Sequence, residues 1–456
     1  MRFFRAAVGF GLDRYIIDAK MVQKRWRPPT ISSILGRPPS VTASRQLSTK
    51  TVADVVEALV GAAYLSGGTD RALTCVPLFL PDVPIDWLPV GRCRDILFNH
   101  AAADDPLPKT MRRIEEQLLG YEFKKKSLLV EALTHSSCPA GPGVRGSLDR
   151  LELLGDALLD FLVATKLYEL YKCNVDGQQQ MVVPYILHIM KSALVNQDIM
   201  AVLILEEWTI LQEELDIIAP PSPSSSQGSE TAISEGNGEH SGGVTLRTRH
   251  VRVPLTAFLR HNTIQLSRFM NDTTRRYAAM RHEVQHALTH GDRYPWRLIS
   301  QLRAPKVFSD VFEAVLAAVW VDSGDMDVCR RVLERVGLDR LMKRIVELGP
   351  MGVLHPREEL NVLNSKMRTL GRSVGYEVFE CEREEGSEGE ESVMEEGKKK
   401  DKDSKRRFGC RYLVDGTVIA EVRGTRSKDE ARTWVAEEAC RILRREPYWL
   451  SVEEGA

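Results

Sequence analysis

The sequence lacks several features that would place it in a particular class of protein at once. Its eight cysteines are scattered, without a Cys-x-x-Cys pair or a tight cluster, which favours free thiols in a reducing compartment. Lys and Arg number 62 against 63 for Asp and Glu, so the overall charge does not indicate a polyanionic partner. No uninterrupted apolar run reaches membrane-spanning length, and no clear signal peptide opens the chain. We therefore expect a soluble intracellular protein, either cytoplasmic or nuclear.

The length and composition indicate more than one folded unit. A chain of 456 residues, 43% of them apolar, is long enough for two or three domains with cores of their own. Changes in composition and in the spacing of apolar residues place the unit boundaries. The predicted units are residues 1–80, 106–348 and 355–446, with 81–105 as a linker.

Two stretches interrupt these units. Residues about 216–244 are rich in Ser, Gly, Pro and Glu, and residues about 383–407 form an acidic block followed by a basic one. Both compositions predict solvated, disordered insertions. Just before the first insertion, the segment SALVNQDIMAVLILEEWTILQEEL predicts a continuation of the helical pattern.

The hydrophobic period changes in the third unit. The segments YEVFECE, RRFGCRYLV and TVIAEVRG alternate like strands, and Asp415-Gly416 is typical of a hairpin turn. One helix precedes these strands, and another follows them with Ser427 as its N-cap. The sequence therefore predicts a mainly α protein with a small C-terminal α-β-β-β-α domain.

Two pairs of acidic residues lie on predicted helices that are otherwise largely apolar. Glu152 and Asp156 are four residues apart, and Asp310 and Glu313 are three apart, so each pair shares one helix face. Burying such carboxylates is costly unless cations or a metal ion compensate them. Four oxygen donors suit Mg²⁺, or Mn²⁺ as a substitute, which can activate water for phosphodiester hydrolysis. Lys306, one turn before Asp310, would support charge developing on the phosphate or hold a carboxylate in place.

The second acid pair has an earlier counterpart in the chain. KTVADVVEAL, from Lys50, and KVFSDVFEAV, from Lys306, share the pattern Lys-x-x-x-Asp-Val-x-Glu-Ala. This repeat argues against the alternative that the acids only solvate a helix face. No Leu-Glu-x-Leu-Gly-Asp motif precedes Asp54 and Glu57 in the first copy. The first copy therefore predicts a site with half of its ligands, which should not cut.

Several segments resemble the ribonuclease III family. LDRLELLGDALLDFLVATKLY is similar to the signature helix of that family, and EALTHSS and SALVNQDIMA resemble the segments around it. PKVFSDVFEAVLAAVWVDSG resembles the helix that supplies the second acid pair. The C-terminal unit is similar to a double-stranded-RNA-binding domain. RRYAAMRHEVQHALTHGDRYPW and the long insertion before it resemble the fungal Dicer-like proteins, particularly those of the antiviral type, and the resemblance covers nearly the whole chain.

The resemblance implies a fold and a set of roles. It implies all-helical ribonuclease III units, the first partial and the second complete, followed by the RNA-binding domain. The chain would begin part-way through the first ribonuclease unit, without the helicase and PAZ regions of a Dicer. The catalytic and Mg²⁺-binding acids of the second unit would be Glu152, Asp156, Asp310 and Glu313, with Lys306 as a supporting lysine and with Asp54 and Glu57 as the remnant of a first site.

The resemblance also implies where the C-terminal domain meets RNA. In the family, phosphates are contacted at the start of the last helix, where this chain has Lys428 and Arg432. Asp429 lies between them and would repel phosphate, and Arg423 and Arg426 would compensate. We expect weak binding by this domain alone. The alternative, that it is a packing or partner-binding module, stays open.

A second motif points to different chemistry. HEVQH, from His282 to His286, matches the His-Glu-x-x-His pattern of zinc peptidases, and His290 lies one turn further on. The longer form of that motif needs Gly where this chain has Thr289. We favour histidines on a half-exposed helix within the second ribonuclease unit.

These observations converge on one leading interpretation and one alternative. The leading interpretation is a Dicer-like endoribonuclease that cuts double-stranded RNA into small RNAs with 5′-phosphates and short 3′-overhangs. It would act in RNA silencing and antiviral defence, with silencing proteins as partners. Its two ribonuclease units would pair within the chain, or residues 106–348 would form a homodimer. The alternative is a catalytically weak or inactive fragment that binds double-stranded RNA.

Overall fold

The structure is a computed structural model, and it describes most but not all of the chain. The two compact units into which the chain divides are Met1–Asn99 and His100–Ala456. Residues 81–89 and 102–105 of the predicted linker, and most of both predicted insertions, lie outside the described residues. Residues 90–101 of the linker are described and are mostly helical. The described residues are 2–16, 48–80, 90–101, 113–139, 146–173, 183–206, 208–217, 244–381 and 406–445.

In the described residues of the first unit, a small apolar core lies between its first two α-helices. Helix α1 is Arg2–Gly9, a short 3₁₀ helix covers Leu12–Tyr15, and α2 is Thr49–Phe79. The Ser48 hydroxyl caps α2 by accepting a hydrogen bond from the Thr51 N–H at 3.0 Å. The backbone of α2 leaves helical geometry at Gly67 and Gly68, but helix resumes beyond them and includes Pro77. Helix α3 is Val90–His100.

The second unit begins with a helical body, residues 113–353. Its core is built on two apolar helices, α5 and α10, that pack against each other. All but two of the 17 residues of α10 are buried. A short π-helix covers Ile114–Leu119, and a 3₁₀ helix covers Leu255–Phe258. The other helices are α4 (Lys126–Ala132), α5 (Asp149–Cys173), α6 (Pro184–Leu194), α7 (Gln197–Leu205), α8 (Ile264–His290), α9 (Trp296–Ser300), α10 (Val307–Ser323), α11 (Met326–Arg335) and α12 (Leu338–Val353).

The prediction of helix beyond α7 was wrong. Strands β1 (Trp208–Ile217) and β2 (Val244–Val253) form an antiparallel pair. In its register Trp208 is paired with Val253, and Ile217 with Val244. The predicted insertion therefore extends from the end of a two-stranded ribbon. Among the described helices none alone is long and apolar enough to cross a membrane, although α6 and α7 together, bent by 44°, reach that length.

The C-terminal α-β domain, residues 356–445, has the predicted α-β-β-β-α order. Helix α13 (Pro356–Thr369) and helix α14 (Lys428–Arg445) pack on a sheet of order β3-β4-β5, with β3 at Val374–Cys381, β4 at Arg407–Val414 and β5 at Thr417–Thr425. Asp415 and Gly416 both have positive φ, at 52° and 78°, as the predicted hairpin turn requires. The Ser427 hydroxyl caps α14, accepting from the Glu430 N–H at 3.0 Å. The predicted fold class is thus confirmed, whereas the predicted residue boundaries of the domains stay a prediction.

The α-β domain is anchored to the helical body by buried charge and an aromatic contact. Glu359 of α13 is 5% exposed and binds both Arg293 of the helical body and Arg444 of α14. The Arg297 guanidinium lies 4.4 Å from the centre of the Trp434 ring of α14. One face of α14 is therefore a packing surface, which supports part of the alternative left open for this domain.

Candidate metal-binding active site

Helices α5 and α10 approach so closely at one point that only glycine fits. A Cβ atom on Gly155 of α5 would lie 1.9 Å from the carbonyl oxygen of Glu313 on α10. Any side chain at this position would push the helices apart. Because Glu152 and Asp156 lie within one turn of Gly155, the close approach carries both of them toward the acids of α10.

Three of the four predicted acids converge at this crossing. Glu152, Asp310 and Glu313 each offer a carboxylate oxygen within 4.8 Å of the others. The side chains of Glu152 and Asp310 are 26% and 15% exposed, and Glu313 is 9% exposed. Such a group of oxygen donors, open to solvent on one side, can hold a divalent cation and still admit a substrate.

Lys306 bridges the two halves of the acidic group. Its Nζ lies 2.5 Å from Glu152 Oε1 on α5 and 2.5 Å from Asp310 Oδ1 on α10. Hydrogen bonds to Asp310 and then to Glu152 raise the pKa of the Lys306 ammonium well above its ordinary value. The lysine therefore stays charged and fixes the carboxylates that it joins.

The surroundings of the acids of α10 do not fully compensate the negative charge that these acids have when ionised. Burial, together with the nearby carboxylates of Asp156 and Asp310, raises the pKa of Glu313 to about 8. Burial also raises the pKa of Asp310, despite its hydrogen bond to Lys306. A divalent cation would supply the positive charge that this group lacks. The donors are all oxygen, which fits Mg²⁺ or Mn²⁺ better than a metal that prefers nitrogen or sulphur.

Asp156 occupies a different place from the other three acids. It is exposed and does not belong to the group of mutually close oxygens, although it lies near enough to raise the pKa of Glu313. The structure therefore places Asp156 at the edge of the acidic group. The assignment of all four acids and Lys306 as catalytic or metal-binding residues stays a prediction.

Two polar residues that the sequence did not single out hold the segment before Lys306. Gln197 Nε2 donates to the carbonyl oxygen of Ala304 at 2.5 Å, and Asp198 accepts a hydrogen bond from the Ala304 backbone. Both residues open α7, whose following residues are all buried. The sequence feature that could have identified them is a pair of adjacent polar residues at the start of an otherwise apolar helix.

The first copy of the repeat has a different environment, in the other unit of the chain. Lys50 Nζ lies 3.6 Å from Asp54 Oδ1, with side chains 85% and 49% exposed, and Glu57 is exposed. Within the described ranges, neither Asp54 nor Glu57 joins a group of three potential metal ligands. This arrangement fits the expectation of an incomplete site, which stays a prediction.

The four predicted RNA-binding residues lie around the start of α14 and are all exposed, although two of them also contact neighbouring side chains. Arg423 pairs with Glu421 and lies 5.5 Å from the centre of the Phe379 ring. Lys428 Nζ lies 5.7 Å from the centre of the Phe408 ring. Arg426 and Arg432 are exposed. Asp429 is 74% exposed and pairs with Arg357 at 2.7 Å, so its negative charge stays on this surface.

His282, His286 and His290 are exposed, and their rings stack one after another along α8. The rings of His282 and His286 are 6.4 Å apart, and those of His286 and His290 are 5.1 Å apart. In the part of the chain that the structure describes, these histidines belong to no group of three potential ligands within metal-binding reach. This agrees with the preferred interpretation of a half-exposed helix.

Comparisons with known proteins agree with this geometry. A ribonuclease III domain is matched over residues 149–324, a range that contains all four acids and Lys306. Dicer-like protein 2 of Pyricularia oryzae is 36% identical over 97% of this chain and 27% of its own length. Dicer-like protein 2 of Cryphonectria parasitica is 34% identical over 97% of this chain and 28% of its own length. That of Neurospora crassa is 34% identical over 98% of the chain and 29% of its own length. The chain thus spans between a quarter and a third of the length of these relatives.

Proposed function

Because this chain carries a ribonuclease III domain and belongs with the Dicer-like proteins of fungi, we propose that it is an endoribonuclease that cuts double-stranded RNA. Cleavage would be a phosphodiester hydrolysis that requires a divalent metal ion. The observation that carries the proposal is the convergence of Glu152, Asp310 and Glu313, with Lys306 hydrogen-bonded to two of them. This convergence supports one site, built from separate elements of the helical body, over two unrelated acidic helix faces.

Each residue of the site would have a separate role. Glu152, Asp310 and Glu313 would bind the cation, and Asp156 at the edge would add a further oxygen on the open side. When bound, Mg²⁺ or Mn²⁺ supplies the polarisation of a phosphate oxygen and the acidification of water that hydrolysis needs. Lys306 Nζ donates to both helices and would lie beside negative charge that develops on the phosphate. Glu313 would give up its proton as the cation binds, because the cation replaces that proton as counter-charge.

The biological setting is part of the same proposal. It includes a role in RNA silencing and antiviral defence inside the cell, which the resemblance to the fungal Dicer-like proteins implies. Two ribonuclease units would act together, either within one molecule or as a homodimer through residues 106–348. Sedimentation of the purified chain, with and without duplex RNA, distinguishes these two assemblies.

A direct assay tests the activity. The purified full chain is incubated with end-labelled duplex RNA in Mg²⁺, in Mn²⁺ or in EDTA, with single-stranded RNA as a substrate control. We expect cleavage of the duplex only with metal. Asp310→Asn and Glu152→Gln should each lower the cleavage rate by at least about 100-fold and leave duplex binding unchanged.

A matched control and a contrary outcome complete the test. Asp327→Asn removes an exposed acid of α11 that pairs with Arg330, and it should cut like the wild type. Duplex binding without cleavage in either metal would contradict the proposal. That result would favour the alternative of a chain that binds double-stranded RNA and does not cut it.

A further inference from the structure

A strained turn lies immediately before Lys306. Residues 301–306 connect α9 to α10, and Arg303 within this connection has a φ of 49°. In the described part of the chain, only Asp415 shares a positive φ among non-glycine residues, and it lies in a hairpin turn. An arginine holds this left-handed conformation only where its surroundings fix it.

Four side chains from three different helices hold the turn, one of them Asp198 of α7, which accepts a hydrogen bond from the Ala304 backbone. Arg276 Nε of α8 donates to the Leu302 carbonyl oxygen at 3.1 Å. Gln197 of α7 donates to the Ala304 carbonyl oxygen. Between them, Arg303 Nη2 donates to Glu430 Oε1 of α14 at 2.7 Å. The contacts made by α7 and α8 come from the helical body itself, whereas Glu430 belongs to the α-β domain.

Glu430 is itself held rigidly. Its side chain is 12% exposed, against 31% for that of Arg303. Its second carboxylate oxygen accepts a hydrogen bond from the Arg426 N–H at 2.8 Å, and its own N–H donates to the Ser427 hydroxyl. This reciprocal pattern at the start of α14 resembles a capping box. The carboxylate that binds Arg303 is therefore fixed by the fold of the α-β domain.

We propose that Glu430 is a positioning residue of the active site and acts through Arg303 on Lys306. The inference rests on the proposed nuclease function. Arg303 is three residues before Lys306, and Pro305 between them has a fixed φ that transmits a change in the turn. A cavity of about 490 Å³, lined by Arg303 and Glu430, gives a released guanidinium room to move. Without Glu430 the turn relaxes and Lys306 Nζ loses its position between Glu152 and Asp310.

The proposal gives the docked α-β domain a role that does not depend on its own RNA binding. Its position on the helical body would fix a lysine in the catalytic group. Even with all four acids present, the active site would thus depend on Glu430, which lies 120 positions after Asp310 in the sequence.

The first test is kinetic and uses the full chain. Glu430→Gln keeps the shape of the side chain and removes its charge. We expect the single-turnover cleavage rate to fall about 5- to 20-fold, because a small misplacement of a catalytic group is costly, while KM for duplex RNA changes less than about twofold. Glu438→Gln, on the same helix and paired with Arg441, is the matched control and should behave like the wild type.

The second test asks whether the effect passes through Arg303 and Lys306. Arg303→Gln should reproduce the loss, and the double variant with Glu430→Gln should lose no more than either alone. In a Lys306→Ala background, Glu430→Gln should change the rate by less than about twofold. An undiminished loss in that background would overturn the proposal.

Hydrogen exchange provides a readout that needs no activity. In Glu430→Gln, the amides of residues 302–304 and 306–310 should exchange about tenfold faster, while those of α11 stay unchanged. Unchanged exchange in the turn would overturn the proposal even if cleavage fell. If the wild-type chain cuts no RNA, the proposed function fails, and hydrogen exchange still decides whether Glu430 holds the turn.

Discussion

Gly155 of α5 lies directly against the backbone carbonyl of Glu313 on α10, so that the two central helices touch backbone to backbone. The contact leaves no space for a Cβ atom, which would lie 1.9 Å from the carbonyl oxygen. It explains why the stretch Glu152-Leu-Leu-Gly-Asp156 has glycine where alanine would be the better helix former. The approach of the helices sets the distance between the acids, and therefore links packing to the proposed chemistry.

Gly155→Ala should destabilise the second unit and disrupt the acidic group. The added methyl must displace backbone rather than a flexible side chain, so we expect a loss of about 2–4 kcal/mol in the free energy of unfolding. Urea unfolding, followed by circular dichroism, measures the loss.

Gly61→Ala is the control, since a Cβ at that helical position meets nothing within 4 Å. It should be neutral or stabilising by up to about 1 kcal/mol. Equal stability of the two variants would contradict the packing argument.

Lys306→Met tests the bridge between the acids. The substitution keeps most of the side-chain volume and removes the ammonium that donates to Glu152 and Asp310. We expect the cleavage rate to fall about 10- to 100-fold, because a fixed cation beside the phosphate is lost. Lys343→Met is a close control: Lys343 Nζ lies 2.8 Å from Asp339 and is 59% exposed, against 65% for Lys306. Comparable losses in both variants would show that the effect is not specific to the site.

The sequence predicted the elements that depend on local spacing. The helices that carry Glu152 and Asp310, the hairpin turn at Asp415 and the cap at Ser427 all follow from residues close together in the chain. Strand β1 was missed because Trp208, Leu211 and Leu215 have a helical spacing of apolar residues. Its partner strand begins only at Val244, and periodicity does not report such a distant pairing.

The candidate site was likewise predictable only in those features that depend on local spacing. The acid pairs were predicted from spacing on each helix, and the family resemblance joined them into one group. Spacing did not reveal that Asp156 lies at the edge of that group, because the relative rotation of α5 and α10 depends on the contact at Gly155. The ion pair between Arg303 and Glu430 spans 127 residues and has no local signal.

Asp198→Asn should change how stability depends on pH. Burial raises the pKa of Asp198 from 3.8 to about 6, although the hydrogen bond from the Ala304 backbone opposes this. The folded state therefore binds this proton more tightly, and stability falls as pH rises from about 4 to about 6. The asparagine keeps an oxygen for Ala304 and cannot ionise. We expect the variant to be more stable by about 1–2 kcal/mol at pH 7.5, and equal to the wild type at pH 4.

Urea midpoints of both proteins at the two pH values measure the difference. The contrary outcome is a constant difference across pH, which would mean that Asp198 is not buried in its charged form. The exposed Asp327 provides the control, since its pair with Arg330 lies at the surface and Asp327→Asn should change stability by less than about 0.5 kcal/mol at either pH.

The surface around the start of α14 should bind duplex RNA better once Asp429 is replaced by lysine. Arg423, Arg426, Lys428 and Arg432 face this region, but Glu421 pairs with Arg423, Glu430 binds Arg303, and Asp429 is exposed. The local surplus of positive charge is therefore small. Asp429→Lys removes a repulsive charge and adds an attractive one, which should raise the affinity several-fold. It should also steepen the slope of log K against log salt by about one, as one more phosphate contact would.

Filter binding of a non-cleaving Asp310→Asn chain, between low and moderate salt, measures this slope without loss of substrate. Asp327→Lys makes the same change of charge on α11 and controls for the net charge of the protein. If both lysine variants gain affinity equally, the gain is a general electrostatic effect and α14 does not contact RNA. If only Asp429→Lys gains, the start of α14 lies against the phosphate backbone, and Asp429 accounts for the weak binding expected of the wild-type domain. The α-β domain would then both hold Arg303 and contact RNA, through neighbouring residues at the start of one helix.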